Sequence, residues 1–323
     1  MLERIIVDEK GTEKTIYPLE TTVFVDKKAA VLDEESILRH LERAREVYRE
    51  MEVGQRQATV ELKPKYPNLP AFIWLNCDDH LGSVLTDYSA FVDDYQVVRE
   101  TPNFFCLSNG DEVDSFMVTL GSAATGVYEN AITPQQQALL MRSLFKRLDD
   151  QGKMLAFSFG NHNQWVRGAG YKFENTWLRD FRCPILNCGG LLTVRYGVQE
   201  YRIAMTHRYW GASKLNPTNA AKRYMEHEYP MADVLFLGHT HQAESLYFKR
   251  EGGTDYRYAV IGGTYKVDDE WAAERGIGRR GQLGGFVLEL SPDKRNISIL
   301  KSVEDAKTYF KILQTIKGKT EKR

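Results

Sequence analysis

Five of the chain's seven histidines lie in short segments rich in Asn, Asp and Gly, and each segment follows an apolar run. In order they are Asp78-Asp79-His80, Gly110-Asp111-Glu112-Val113-Asp114, Gly160-Asn161-His162, His207 and Gly238-His239-Thr240-His241. Carboxylate and carboxamide oxygens mixed with neutral imidazoles suit Mn, Fe or Zn better than a thiolate-loving ion. One carboxylate in such a set can bridge two ions about 3.5–4 Å apart.

These residues need rigid supports, and the sequence supplies them. A hydrophobic strand candidate stops just before each segment: Ala71–Cys77, Asn103–Leu107, Met154–Phe159, Tyr201–Met205 and Val234–Leu237. Ligands carried on the loops that follow would converge on one edge of a layered sheet, with the glycines permitting turns that a side chain would obstruct.

The pattern D-x-H, G-D-x-x-D, G-N-H, a lone His and G-H-x-H resembles that of the calcineurin-like metallophosphoesterases, and the match runs from Asp78 to His241, roughly half the chain. The resemblance implies a four-layer α/β/β/α sandwich. It assigns Asp78, His80, Asp111 and His241 to a first metal, and Asp111 again with Asn161, His207 and His239 to a second. The cofactor implied is two divalent transition-metal ions, manganese first, with iron, zinc and nickel as alternatives. The reaction implied is hydrolysis of a phosphoester by in-line attack of a hydroxide held between the ions. His162, beside Asn161 but not assigned to a metal, is the candidate to protonate the leaving alkoxide. By resemblance Asp114 holds the His162 imidazole; its plainer reading is a helix cap. Two places depart from the protein Ser/Thr phosphatases of this fold, which carry Arg after the second Asp and Glu after G-N-H. Here Ser115 and Asn163 stand there, so protein-phosphatase activity is disfavoured and the usual acidic supporting role is open.

Composition bounds the rest. With 323 residues, 42% hydrophobic and 27% charged, the chain can bury one substantial core and a small added module. Its 43 basic and 44 acidic residues exert no bulk pull toward nucleic acid or membrane, though a local basic groove remains open. No apolar run of about 18 residues occurs, and Met1-Leu2-Glu3-Arg4 lacks a signal-peptide layout, so a cytoplasmic protein without a membrane partner is expected. The four cysteines match neither a disulfide framework nor a zinc spacing and are expected to be buried thiols; Cys77, beside Asp78, is placed for oxidation but is expected rather to pack as a small hydrophobe.

Three stretches are expected. Residues 1–70 form an accessory hairpin (Arg4–Val7 and Lys14–Tyr17) and a helix capped by Asp33. The apolar stripe of that helix, Ile37, Leu41, Ala44, Tyr48 and Met51, suits docking on the core or on a second subunit of a homo-oligomer. Residues 71–302 form the catalytic domain, with helices over Pro134–Leu148 and Asn219–Glu228, a helix-compatible stripe in Asp87–Glu100, and late strand pairs Gln242–Lys249 with Asp255–Ile261 and Phe286–Leu290 with Ile297–Leu300. Residues 303–323 form a C-terminal helix and tail.

For substrate, Arg208, Tyr209 and Trp210 directly follow His207, and are the candidates to contact a phosphate oxygen and a base. Arg167, Lys214, Arg279, Arg280 and Trp165 are further candidates, and the insertion between Asp114 and Pro134 suggests a shaped pocket. The expected partner is a phosphoester, whether nucleic acid, nucleotide or small metabolite. Phosphodiesterase or nuclease is the leading reading, phosphomonoesterase the alternative, and a metal-binding scaffold without turnover the third.

Overall fold

The computed structural model describes residues 4–7, 13–16, 34–50, 56–116, 129–169, 172–209, 216–250, 252–253, 255–267 and 283–320. The chain divides into two compact units, Met1–Glu52 and Val53–Arg323. In the first, β1 (Arg4–Val7) pairs antiparallel with β2 (Glu13–Ile16), and α1 (Glu34–Glu50) follows. Ile37, Leu38 and Leu41 of α1 are exposed.

The second unit runs β3 (Gln57–Glu61), β4 (Ala71–Asn76), α2 (Tyr88–Glu100), β5 (Phe104–Asn109), α3 (Pro134–Asp150), β6 (Met154–Ser158), α4 (Asn161–Trp165), α5 (Phe173–Trp177), β7 (Gly189–Tyr196), β8 (Gln199–Thr206), α6 (Pro217–Glu228), β9 (Val234–Leu237), β10 (Glu244–Lys249), β11 (Tyr256–Ile261), β12 (Val287–Leu290), β13 (Ile297–Leu300) and α7 (Val303–Thr320). Five strands form one mixed sheet, in the order β13-β12-β4-β5-β6, and six form another, β10-β11-β9-β8-β7-β3.

Strand periodicity explains how these sheets stack. Along β4, whose six residues are all buried, Phe72 and Trp74 point one way and Ile73 and Leu75 the other. Phe72 and Trp74 join Phe91 of α2, Phe145 of α3 and Phe310 of α7 in the helix-side core. Ile73 and Leu75 meet Ile203, Met205 and Phe236 of the six-stranded sheet. The far face of that sheet, through Ala204, Leu235 and Ala259, packs on Ala221 and Met225 of α6. The result is a four-layer α/β/β/α sandwich.

Local chemistry fixes the helix starts. Asp87 caps α2 by accepting from Ala90 N at 3.0 Å, and Thr133 and Gln136 form a reciprocal capping box at α3. Two differences from the expected division stand out. β3 pairs parallel with β7, and Leu62 and Leu69 are buried, so the chain joins the large unit at Val53 and not at residue 71. The C-terminal helix is part of the core, since Val303, Ala306 and Phe310 are buried in it. No helix among the described residues is long and apolar enough to cross a membrane.

Candidate metal centre

Every ligand-bearing segment sits where a strand ends: Asp78 and His80 after β4, Asp111 after β5, Asn161 after β6, His207 after β8, and His239 and His241 after β9. Sharp turns bring them back over the sheet edges. Of the eight non-glycine residues with positive φ among those described, five are ligand candidates: Asp78 (55°), His80 (49°), Asp111 (56°), His239 (72°) and His241 (56°). Such backbone is disfavoured for residues with a Cβ, and clusters of it mark functional sites. The loops after β5 and β6 also lie back to back. A Cβ on Gly160 would fall 1.9 Å from Asp111 Oδ1, and one on Gly110 would fall 2.2 Å from Gly160 N.

The side chains form three overlapping groups whose ligand atoms all lie within 4.8 Å of one another: Asp78, His80 and His241; His80, Asp111 and His162; Asp111, His207 and His239. Asp111 belongs to two of them, as a bridging carboxylate should. Each group that contains His207, His239 or His241 draws on both sheets. Asn161, next to His162, has a buried Oδ1 with no hydrogen-bond partner, the atom that the second metal would take.

Hydrogen bonds behind the rings decide which nitrogen each imidazole offers. His80 Nδ1 donates to Asp114 Oδ1 (2.8 Å) and His207 Nδ1 to the Asn109 carbonyl (2.7 Å), while His162 Nδ1 donates to the Asp114 carbonyl. In each neutral ring Nε2 is thereby left as a lone pair. His80 Nε2 and His241 Nε2 face each other at 3.1 Å. His207 Nε2 lies 2.9 Å from Asp111 Oδ2 without hydrogen-bond geometry. Clustered lone pairs and carboxylates of this kind repel unless a cation lies among them.

The titration behaviour agrees. Burial pushes the carboxyls of Asp78 and Asp111 up, but the surrounding imidazoles overbalance it and hold both well below the usual carboxylate range. Burial pulls His207 down, yet Asp111 and Asp78 raise it to about 9, because the two carboxylates favour positive charge at that position. Burial lowers His239 to about 4, and it also lowers His162, which favours the neutral rings that metals require.

Several expectations need correction. The Asp114 carboxylate supports His80 and not His162; the turn at Asp111–Ser115 gives His162 only the Asp114 backbone oxygen. Trp165 lies against His162 at 3.8 Å between ring centroids, tilted by 38°, with Phe116 edge-on at 5.1 Å, so it packs on the imidazole and does not present that face to a base. Cys188 is exposed. Cys77, by contrast, is buried as expected, and burial pushes its thiol well up, so it packs as an inert group. Tyr209 stacks on Tyr224 at 4.4 Å and lines a cavity of about 20 Å³ with Pro217, Ala220, His239 and Thr240. Arg208 is exposed, and its charge contributes to lowering His239. Trp210, Lys214, Arg279 and Arg280 lie outside the described residues, and Arg167 is exposed.

Two supporting residues escaped sequence reasoning. Asn109 donates from Nδ2 to the carbonyls of Thr206 and Phe236, both at 3.0 Å, and so ties the two sheets together beside the ligands. Its signal was a polar residue ending a wholly buried strand. Lys266, buried, lies 3.3 Å from Asp114 Oδ1 and 2.8 Å from Glu129 Oε2. Nothing around it in the sequence marks it.

No protein-family model matches the chain, and no curated protein matches it. Solved structures do. A predicted phosphoesterase from Streptococcus pneumoniae is 13% identical over 73% of this chain and 91% of that one, with a TM-score of 0.35. Vps29 from Entamoeba histolytica, complexed with zinc, is 11% identical over 71% and 97%, with a TM-score of 0.36. A metallophosphoesterase from Sphaerobacter thermophilus is 15% identical over 71% and 87%, with a TM-score of 0.33. At such scores these likenesses carry no argument about chemistry, which rests on the chain's own residues.

Proposed function

We propose that this chain, a calcineurin-like metallophosphoesterase by its five ordered motifs and the ligand groups they form, hydrolyses phosphoester bonds with two divalent ions and acts on diesters in preference to monoesters. The observation that carries the reading is the overlap of three ligand groups through His80 and Asp111, with His80 Nε2 and His241 Nε2 3.1 Å apart. Asp78, His80, Asp111 and His241 would hold one ion, and Asp111, Asn161, His207 and His239 the other. When bound, such ions neutralise the phosphate and acidify a water placed for in-line attack.

The protein's own groups supply the rest. Asp114 and the Asn109 carbonyl fix the tautomers of His80 and His207, so that both offer Nε2. His162 keeps Nδ1 on the Asp114 carbonyl, which leaves Nε2 as the atom that takes up a proton and passes it to the leaving oxygen. Trp165 and Phe116 hold the plane of that ring and keep water off two of its sides. His162 also groups with His80 and Asp111, its Nε2 3.8 Å from Asp111 Oδ2, and this favours a second reading in which it is a ligand.

The preference for diesters rests on Arg208 and Tyr209 beside His239, a cation and a flat ring at the rim. The test is a manganese-supplemented screen of bis-p-nitrophenyl phosphate, p-nitrophenyl phosphate, cyclic nucleotides and single- and double-stranded DNA and RNA. Faster turnover of diesters is expected. Turnover of monoesters alone refutes the diester preference, and two bound ions with no turnover at all refute the enzyme.

A further inference from the structure

The place after Gly160-Asn161-His162 is held by Asn163 rather than an acidic residue, and the structure shows a compensation for that change one loop away. Asn163 is fully buried. Its Oδ1 accepts from Asp111 N at 2.8 Å and from Gly160 N at 2.9 Å, tying the backbone of the two ligand loops to a single atom. Two N–H donors on one atom fix the amide orientation, since the reverse flip would set an NH₂ group against both. Nδ2 therefore points the other way, and it donates to Glu112 Oε2 at 2.9 Å. Glu112 is also fully buried, and its Oε1 accepts from Gly110 N at 3.0 Å and from Ser108 Oγ.

Resting on the metallophosphoesterase reading above, we infer that Asn163 and Glu112 are a paired positioning device: the carboxylate that braces the metal loops sits on Glu112, and the carboxamide of Asn163 relays it to the backbone of Asp111 and Gly160. An acid at 163 still accepts from both N–H groups. Its second oxygen then faces Glu112 Oε2 at hydrogen-bond distance, two acceptors that can pair only by taking up a proton. Glutamine at 112 alone makes the opposite mismatch, NH₂ against NH₂. The two changes together restore one donor to one acceptor. Asn161 and His162 lie between Gly160 and Asn163, and His162 N donates to Asp111 Oδ1 at 2.8 Å, so an error at this pair displaces ligands of both ions.

The experiment is a double exchange in the full chain: wild type, Asn163→Asp, Glu112→Gln and the double variant, each titrated with Mn²⁺ against a chelating dye, with thermal unfolding of the metal-free protein alongside. Each single variant is expected to bind Mn²⁺ about 10–100-fold more weakly, the usual scale for residues behind metal ligands. The double variant is expected to recover to within about threefold of wild type, because the pairing is restored. Affinity no better in the double variant than in the weaker single one overturns the proposal, as does recovery of unfolding temperature without recovery of Mn²⁺ affinity, which makes the pair merely structural. If a single variant does not fold, the double variant against wild type decides alone. Because the readout is binding, a wild type that holds Mn²⁺ yet cleaves no ester refutes the enzymatic reading and leaves this one standing.

Discussion

At the scale of single residues, chemistry and backbone conformation compete. His239 has φ 72°, a conformation that costs a residue with a Cβ roughly 1–2 kcal/mol. Glycine escapes that cost but loses about 0.4–1 kcal/mol through the freedom of its unfolded chain. His239→Gly is therefore expected to leave metal-free protein more stable than His239→Ala by about 0.5–1 kcal/mol in urea unfolding, and equal or lower stability of the glycine variant would show the turn to be unstrained. His162 is a different case, since its task is a proton. His162→Ala should lower kcat by about 10²–10⁴ on an ester with a poor leaving group and far less on p-nitrophenyl esters, with two ions still bound. Loss of an ion on elemental analysis would reassign His162 as a ligand.

At the scale of elements, one of the contacts that hold α2 against the site loops is Tyr265 Oη donating to Asp94 Oδ2 at 2.6 Å. Burial pushes the Asp94 carboxyl up from 3.8 to about 6, against the pull of that hydrogen bond. A folded value above the unfolded one favours the protonated form, so this contribution is complete below about pH 4 and is lost as pH rises through 6. Asp94→Asn keeps an acceptor for Tyr265 and removes the charge. It should stabilise the protein by about 1–2 kcal/mol at pH 7.5 and by nothing measurable at pH 4; a gain that is the same at both values would locate the effect elsewhere. Elements were legible to the extent that their own sequence carried their burial. β4, β5, β6 and β9 read as strands because apolar runs are buried on both faces. β3 (Gln-Ala-Thr-Val-Glu) is a half-exposed edge strand, and β7 opens on Gly189-Gly190, so neither announced itself. The side chains that come together as candidate ligands were legible from motif order. The partner of Asp114 was not, because which ring meets which oxygen depends on positive-φ turns at Asp111 and Ser115 that no spacing encodes.

For the whole molecule, ions at the centre would clamp two sheets that otherwise meet through apolar packing and a few hydrogen bonds such as those of Asn109, Tyr201 and Tyr258. A ligand held at a thousandfold excess over its Kd stabilises the folded state by about 4 kcal/mol, which for a unit of this size is a rise of roughly 8–16 °C in Tm. Chelation should remove that rise and Mn²⁺ should restore it, and a Tm indifferent to both would mean that the sheets need no clamp. The facing pair His80 and His241, 161 residues apart in the chain, carries a further consequence in time. At about 5–20 residues per second the ribosome needs roughly 8–30 s to pass from one to the other. Until β9 has been made and docked, Asp78 and His80 lack their counterpart, so capture of the proposed metals would be a late event of biogenesis, and the nascent chain would wait with half a binding site exposed to whatever ion is most abundant.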